Sequence, residues 1–213
     1  MPWAEMATEA WVETVSAEIV QLKDPVGLSL ARFELLPREF EGRGAIHYGT
    51  LRIDGDFVPP SQITAIFGDL EVSGRISTQG VDGADGNTTL LVLGSVESST
   101  LVNDWSSLIL VSEDVVVREW ALMDQEDSSF VAGANFVTPL FLGYDIWATV
   151  GGAASMEAGI GYAVQIDMNG RENFDHVFRP NLSKEETERM LRISDSQQLF
   201  ERFYNTGTIL PSD

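Results

Sequence analysis

Between Asp104 and Asp127 the chain gathers seven carboxylates, those of Asp104, Glu113, Asp114, Glu119, Asp124, Glu126 and Asp127, against one cation, Arg118. Trp105 and Trp120 are interleaved with them. Carboxylates beside exposed aromatic rings suit a cleft lined by Arg and Lys, the acids meeting the charge and the rings supplying apolar contact area. The competing reading puts both tryptophans in the core and the carboxylates on successive turns. Other chemistry has little to build on. The two histidines, His47 and His176, do not form a metal-ligand pair such as H-x-x-x-H, and Asp175-His176 is a lone dipeptide that reads as structural or surface. No G-x-S-x-G, P-loop or dinucleotide fingerprint occurs. Asp82-Gly83-Ala84-Asp85-Gly86-Asn87 has a passing likeness to a calcium loop but lacks the acidic residue at its far end, so it reads as a Gly/Asp turn. The expectation is a protein without catalytic residues, bound metal or cofactor.

What positions those carboxylates is a repeat. Ile66-Phe67-Gly68-Asp69-Leu70-Glu71-Val72 is answered by Val92-Leu93-Gly94-Ser95-Val96-Glu97-Ser98, then by Leu110 to Val116, Val131 to Val137 and Thr149 to Ala153. The small residue at the corner sits at 68, 94, 112, 132 or 133, and 151, in steps of 26, 18 and then 18 to 21 residues. The long first step holds the Gly/Asp-rich stretch 79–87, which would bulge from one coil. A period of about 18 residues fits one turn of a parallel β-solenoid with three short faces. No single coil buries its own apolar side, so Val92, Leu93 and Val96 need Leu110, Val111 and Val115 stacked on them. An antiparallel sandwich of short strands is the alternative.

Helices flank the repeats. Trp3, Met6, Ala7, Ala10, Trp11, Val15, Ile19 and Leu22 recur at helical spacing until Lys23-Asp24-Pro25 stops them. That helix would cap an open solenoid end or dock a partner through Trp3 and Trp11. Ser183 with Glu186 is a capping box, opening a helix or helix pair over 183–204 with a break near Ser194-Asp195-Ser196. The expected organisation is a helical cap with lead-in strands over 1–48, solenoid coils over 49–166, and a C-terminal helical segment over 167–213 that packs on the solenoid.

The chain of 213 residues carries 33 Asp and Glu against 13 Lys and Arg, a formal charge of −20. Such a field repels nucleic acid and anionic membranes and favours a basic protein partner. Acidity for solubility alone is the competing explanation. No apolar run reaches the ~18 residues that a membrane span needs, and no export signal is visible, so the cytoplasm is the expected compartment.

Phe67-Gly68-Asp69-Leu70-Glu71-Val72-Ser73-Gly74 and Thr89-Leu90-Leu91-Val92-Leu93-Gly94-Ser95-Val96 resemble the coils of bactofilins, the polymer-forming cytoskeletal solenoids of bacteria. They also resemble bactofilin-like solenoids encoded in polymorphic toxin loci, which look like immunity proteins. The resemblance covers residues 50–164 and implies a parallel β-solenoid. Helices at both ends would block stacking between subunits, and the high charge disfavours self-association. The expected function is therefore that of the toxin-locus relatives: neutralising a basic toxin, such as a nuclease, by occluding its active site. Asp104, Trp105, Glu113, Asp114, Glu119, Trp120, Asp124, Glu126 and Asp127 are the expected contact residues. A self-assembling scaffold is the alternative, and an acid-rich β-helix enzyme a third.

Overall fold

The computed structural model describes residues 3–19, 43–79, 88–104, 106–162, 180–194 and 197–211, without the side chains of 125–127, 145, 161, 162, 197 and 200. The chain winds into a parallel β-solenoid of about five turns with short helices at its ends. Three walls of stacked strands form a prism. Wall A stacks β2 (Arg43–Tyr48), β4 (Ile63–Phe67), β7 (Thr89–Val92) and β9 (Leu108–Val111). The last stretches of β10 (Val115–Ala132) and β12 (Leu140–Val150) continue it. Wall B stacks β3 (Leu51–Ile53), β5 (Leu70–Val72), the starts of β8 (Val96–Asp104) and β10, β11 (Phe136–Val137) and β13 (Ala154–Ser155). Wall C stacks β6 (Arg75–Ser77), the end of β8, the middle of β10, the start of β12 and β14 (Ala158–Tyr162). β8, β10 and β12 are long because each continues round a corner, with register shifts in β10 between Val117 and Trp120 and between Asp124 and Ser128.

Register fixes the period. Gly44, Ile63, Thr89, Leu108, Ser129 and Trp147 are successive partners on wall A, in steps of 19, 26, 19, 21 and 18 residues. The long step contains 80–87, which lies outside the described residues. The corner between walls A and B shows why small residues recur. Gly68 has a φ of +145°, and a Cβ there would lie 2.6 Å from the carbonyl carbon of Gly49; one on Gly94 would lie 2.6 Å from that of Gly68. Further along, the column passes through Glu113, Ala134 and Gly152, each N–H donating to the carbonyl of the residue beneath it. It therefore sits one residue beyond the expected 112 and 151 and holds a glutamate in the fourth coil.

Inside the prism the inward side chains stack coil over coil, as in Ile66, Val92, Val111 and Ala132 on wall A. One coil fills the middle with aromatic rings. Phe130 from wall A meets Phe136 from wall B at 5.0 Å, and Phe136 meets Phe141 from wall C at 5.7 Å, both edge-on.

The N-terminal helix starts later than the apolar spacing predicts. Ala4–Ala7 forms a strand, β1, antiparallel to β2, and α1 (Thr8–Ile19) begins after it. An edge strand offers unpaired N–H and C=O groups, and the alternation of half-buried Ala4 and Met6 with exposed Glu5 and Ala7 suits pairing there. Trp3 and Trp11 both pack inward. Trp3 stacks on Phe57 at 6.4 Å and tilts on His47 at 5.5 Å, over the first coil. Trp11 is fully buried against Gly44 and donates its Nε1–H to the Ala45 carbonyl at 3.1 Å. At the other terminus α2 (Lys184–Leu191) and α3 (Gln197–Thr206) form the expected helix pair. Ser183 Oγ accepts from the Glu186 N–H and the Glu186 carboxylate accepts from the Ser183 N–H, closing the capping box.

Candidate interaction face

The outward sides of the three walls differ in chemistry. On wall A, Ile46, Ile63, Ala65, Leu91, Leu108, Leu110 and Val131 face out yet are buried in one cluster with Trp11 and Val15 of α1. On wall C, Val102, Trp120, Leu122, Leu140, Leu142, Ala158 and Ile160 are buried under Leu191, Leu199, Phe203 and Ile209. Each Val, Leu or Ile among them contributes about 1.5–3 kcal/mol when removed from water, so the helices dock where the apolar area is. Wall B exposes its outward column instead: Arg52, Glu71, Glu97, Val116, Val137 and Ser155 are half-buried or exposed.

Wall B and the corners at its two margins are acidic. Among the described residues they carry the carboxylates of Asp54, Asp56, Asp69, Glu71, Glu97, Glu113, Asp114, Glu119 and Glu157 against the guanidinium groups of Arg52 and Arg118. Both cations are engaged. Arg52 Nε and Nη2 each donate to Glu71 at 2.8 Å, and that bidentate bond holds the guanidinium above its ordinary pKa. Arg118 donates to Glu97 at 3.4 Å and folds back to the carbonyls of Val72 and Ser73 at 3.0 and 3.1 Å. The two pairs border a shallow groove of about 350 Å³, with Ile53, Asp54, Val72 and Ser73 completing its lining.

The corner between walls A and B is stitched by side chains at the rung after the small-residue column. Asp69 Oδ1 accepts from the Ser95 N–H at 2.9 Å. Asp114 Oδ1 accepts from both the N–H and Nδ2 of Asn135 at 2.9 Å, and Asn135 Oδ1 from the Ala153 N–H at 3.0 Å.

The structure divides the residues expected to contact a partner. Glu113 and Glu119 lie exposed at the margins of wall B, accepting from Ser95 Oγ at 3.2 Å and Ser99 Oγ at 2.6 Å. Asp114 is half-buried there and spends one oxygen on the corner ladder. Asp104, Trp120 and Asp124 belong elsewhere. They are 4%, 2% and 2% exposed, on wall C. Trp120 packs edge-on against Phe203 at 6.0 Å with Arg75 above it at 5.2 Å. Asp124 accepts from the Tyr204 hydroxyl at 2.7 Å, and Asp104, its partner in the preceding coil, accepts from Gln79 Nε2. As an anchor for a partner, Trp120 is thus replaced by its role under α3. Trp105 and the side chains of Glu126 and Asp127 lie outside the described residues, as do His176 and the loop 82–87.

Sequence reasoning missed Asp54, Asp56, Asp69, Glu71, Glu97 and Glu157. The signal was available: Glu71 and Glu97 hold the same place in successive repeats, and Asp69 and Asp114 hold the same corner place two repeats apart. No family model, no curated protein and no solved structure matches this chain.

Proposed function

We propose that this chain is a non-enzymatic binding protein whose wall B receives a basic protein partner, and that it acts in the cytoplasm as an immunity protein against a cationic toxin, such as a nuclease. The observation that carries the reading is the contrast between the walls: two are apolar and buried under other elements, while the exposed one, with its corners, bears nine carboxylates and two cations that are already paired among the described residues. A field of that sign raises the association rate of a basic surface and repels phosphate. Neutralisation works by occlusion, with wall B seated where the toxin's Arg and Lys would hold its substrate. The parallel solenoid, which fits the bactofilin-like likeness, supports the reading at the level of fold.

The test pairs the wild-type chain with the triple variant Glu97→Lys, Glu113→Lys, Glu119→Lys, three exposed residues outside the core. Secreted proteins of the source cell are passed over each, and any retained basic protein is expressed with and without this chain. The expected result is a toxic basic protein held by the wild type, released by salt, rescued by co-expression, and bound at least tenfold more slowly by the variant. Equal association with both proteins would refute the role of wall B.

A bactofilin-like scaffold is the second reading. It is favoured by the last coil, where β13 and β14 are paired on one side only among the described residues. It is opposed at the other end by β1, whose antiparallel pairing covers the β2 edge. Filaments in electron micrographs of purified protein would decide for it.

A further inference from the structure

Wall A ends, along its border with wall B, in an apolar column. Tyr48 and Phe67 are partners in adjacent coils and the final residues of β2 and β4. Leu93 takes the same place in the third coil, next to Val92, the partner of Ile66. Tyr48 is 60% exposed and meets Phe67 edge-on at 5.3 Å; Phe67 and Leu93 are half-buried. The column stops in the fourth coil, where Ser112 follows Val111. Two of the strands along this border run directly into the acidic corner: Asp69 lies two residues after Phe67, and Glu113 and Asp114 follow Ser112. An exposed tyrosine on a half-buried phenylalanine, close to carboxylates, is the composition of an interface centre with a charged rim. Tyrosine suits it, since a rigid ring offers large contact area at low cost in side-chain entropy.

We propose that Tyr48, Phe67 and Leu93 anchor the partner: the column receives an apolar side chain of the basic protein, flanked by Arg or Lys residues that reach Asp69 and Glu113. This rests on the reading of wall B given above and names what the partner must present. Charge complementarity selects this occupant. A second copy of this chain would bring a net charge of −20 and the same carboxylates against themselves. A purely apolar segment would desolvate Asp69 and Glu113 without offering them a counter-charge.

The test uses two fluorescently labelled peptides of equal positive charge. One carries a Trp-Leu pair between Lys/Arg pairs; the other carries Gly-Ser in its place. Binding is read by anisotropy with the wild type, with Tyr48→Ala, and with the triple variant Glu97→Lys, Glu113→Lys, Glu119→Lys. The wild type is expected to prefer the Trp-Leu peptide by about tenfold, equivalent to about 1.4 kcal/mol. Tyr48→Ala should erase that preference and keep the weak, salt-sensitive binding of both peptides. A wild type without the preference, or Tyr48→Ala with it intact, overturns the anchor. If the triple variant loses both peptides while Tyr48→Ala behaves as wild type, wall B stands and the anchor falls. If neither variant alters binding, both fall. A wild-type dimer in sedimentation that Tyr48→Ala dissolves would also overturn the proposal, making the column a self-contact.

Discussion

A methyl group at Gly68 has nowhere to go. Its Cβ would sit 2.6 Å from Gly49 C and 2.8 Å from Thr50 N, backbone atoms of the coil beneath, and the φ of +145° disfavours any side chain. Gly49 has a φ of +88° but open space around its Cβ position. Gly68→Ala is therefore expected to cost about 3 kcal/mol, from strain and overpacking together, and Gly49→Ala about 1 kcal/mol, from backbone strain alone. Urea unfolding of the two variants measures both, and equal losses would contradict the stacked-corner geometry. Gly68 was legible in the sequence because its close approach to the backbone of the coil beneath leaves no room for a side chain. The later corner positions were less so, because Glu113 is not small and Ala134 lies in a run of three small residues, 132–134, any of which could hold the corner. Asp114 shows the same limit: acidity is visible in a sequence, but its bond to Asn135 requires a neighbour that only coil stacking supplies.

The C-terminal helices are held to wall C by specific polar contacts as well as apolar area. Arg75 reaches from β6 to the Gly207 carbonyl, Arg202 donates to the carbonyls of Leu191 and Ile209 at 2.9 Å, and Tyr204 donates to Asp124. Burial, and then the bond to Asp124, push the Tyr204 phenol above its ordinary pKa. A raised phenol favours the neutral, folded form, so the contribution is complete below the ordinary tyrosine value of about 10 and fades as pH rises beyond it. Tyr204→Phe is expected to lose about 1 kcal/mol at neutral pH and to show a shallower fall in melting temperature above about pH 10 than the wild type. Parallel slopes in thermal melts across that range would show that the hydroxyl does not hold α3. The capping box that starts α2 was readable because its two residues lie three apart. The burial of Asp104, Trp120 and Asp124 was not, since it depends on helices that return from 60 or more residues away.

Viewed whole, the molecule is a three-sided prism whose interior, covered walls and open wall follow one alternation of inward and outward side chains. The outward side chains of wall A are buried in one cluster with α1 and those of wall C with α2 and α3, which concentrates the exposed charge on wall B. The solenoid itself was legible, because its period survives even the interruption between β6 and β7. The open wall was legible only in part, since which carboxylates share it depends on coil register rather than on nearness in the chain. Carbodiimide footprinting of carboxyl groups, with and without the captured basic protein, reads the interaction face directly. Labelling of Glu97, Glu113 and Glu119 should fall on binding, while Glu185 and Glu201 on the C-terminal helices label as before. Protection of Glu185 and Glu201 with unchanged labelling of the wall B glutamates would contradict the assignment.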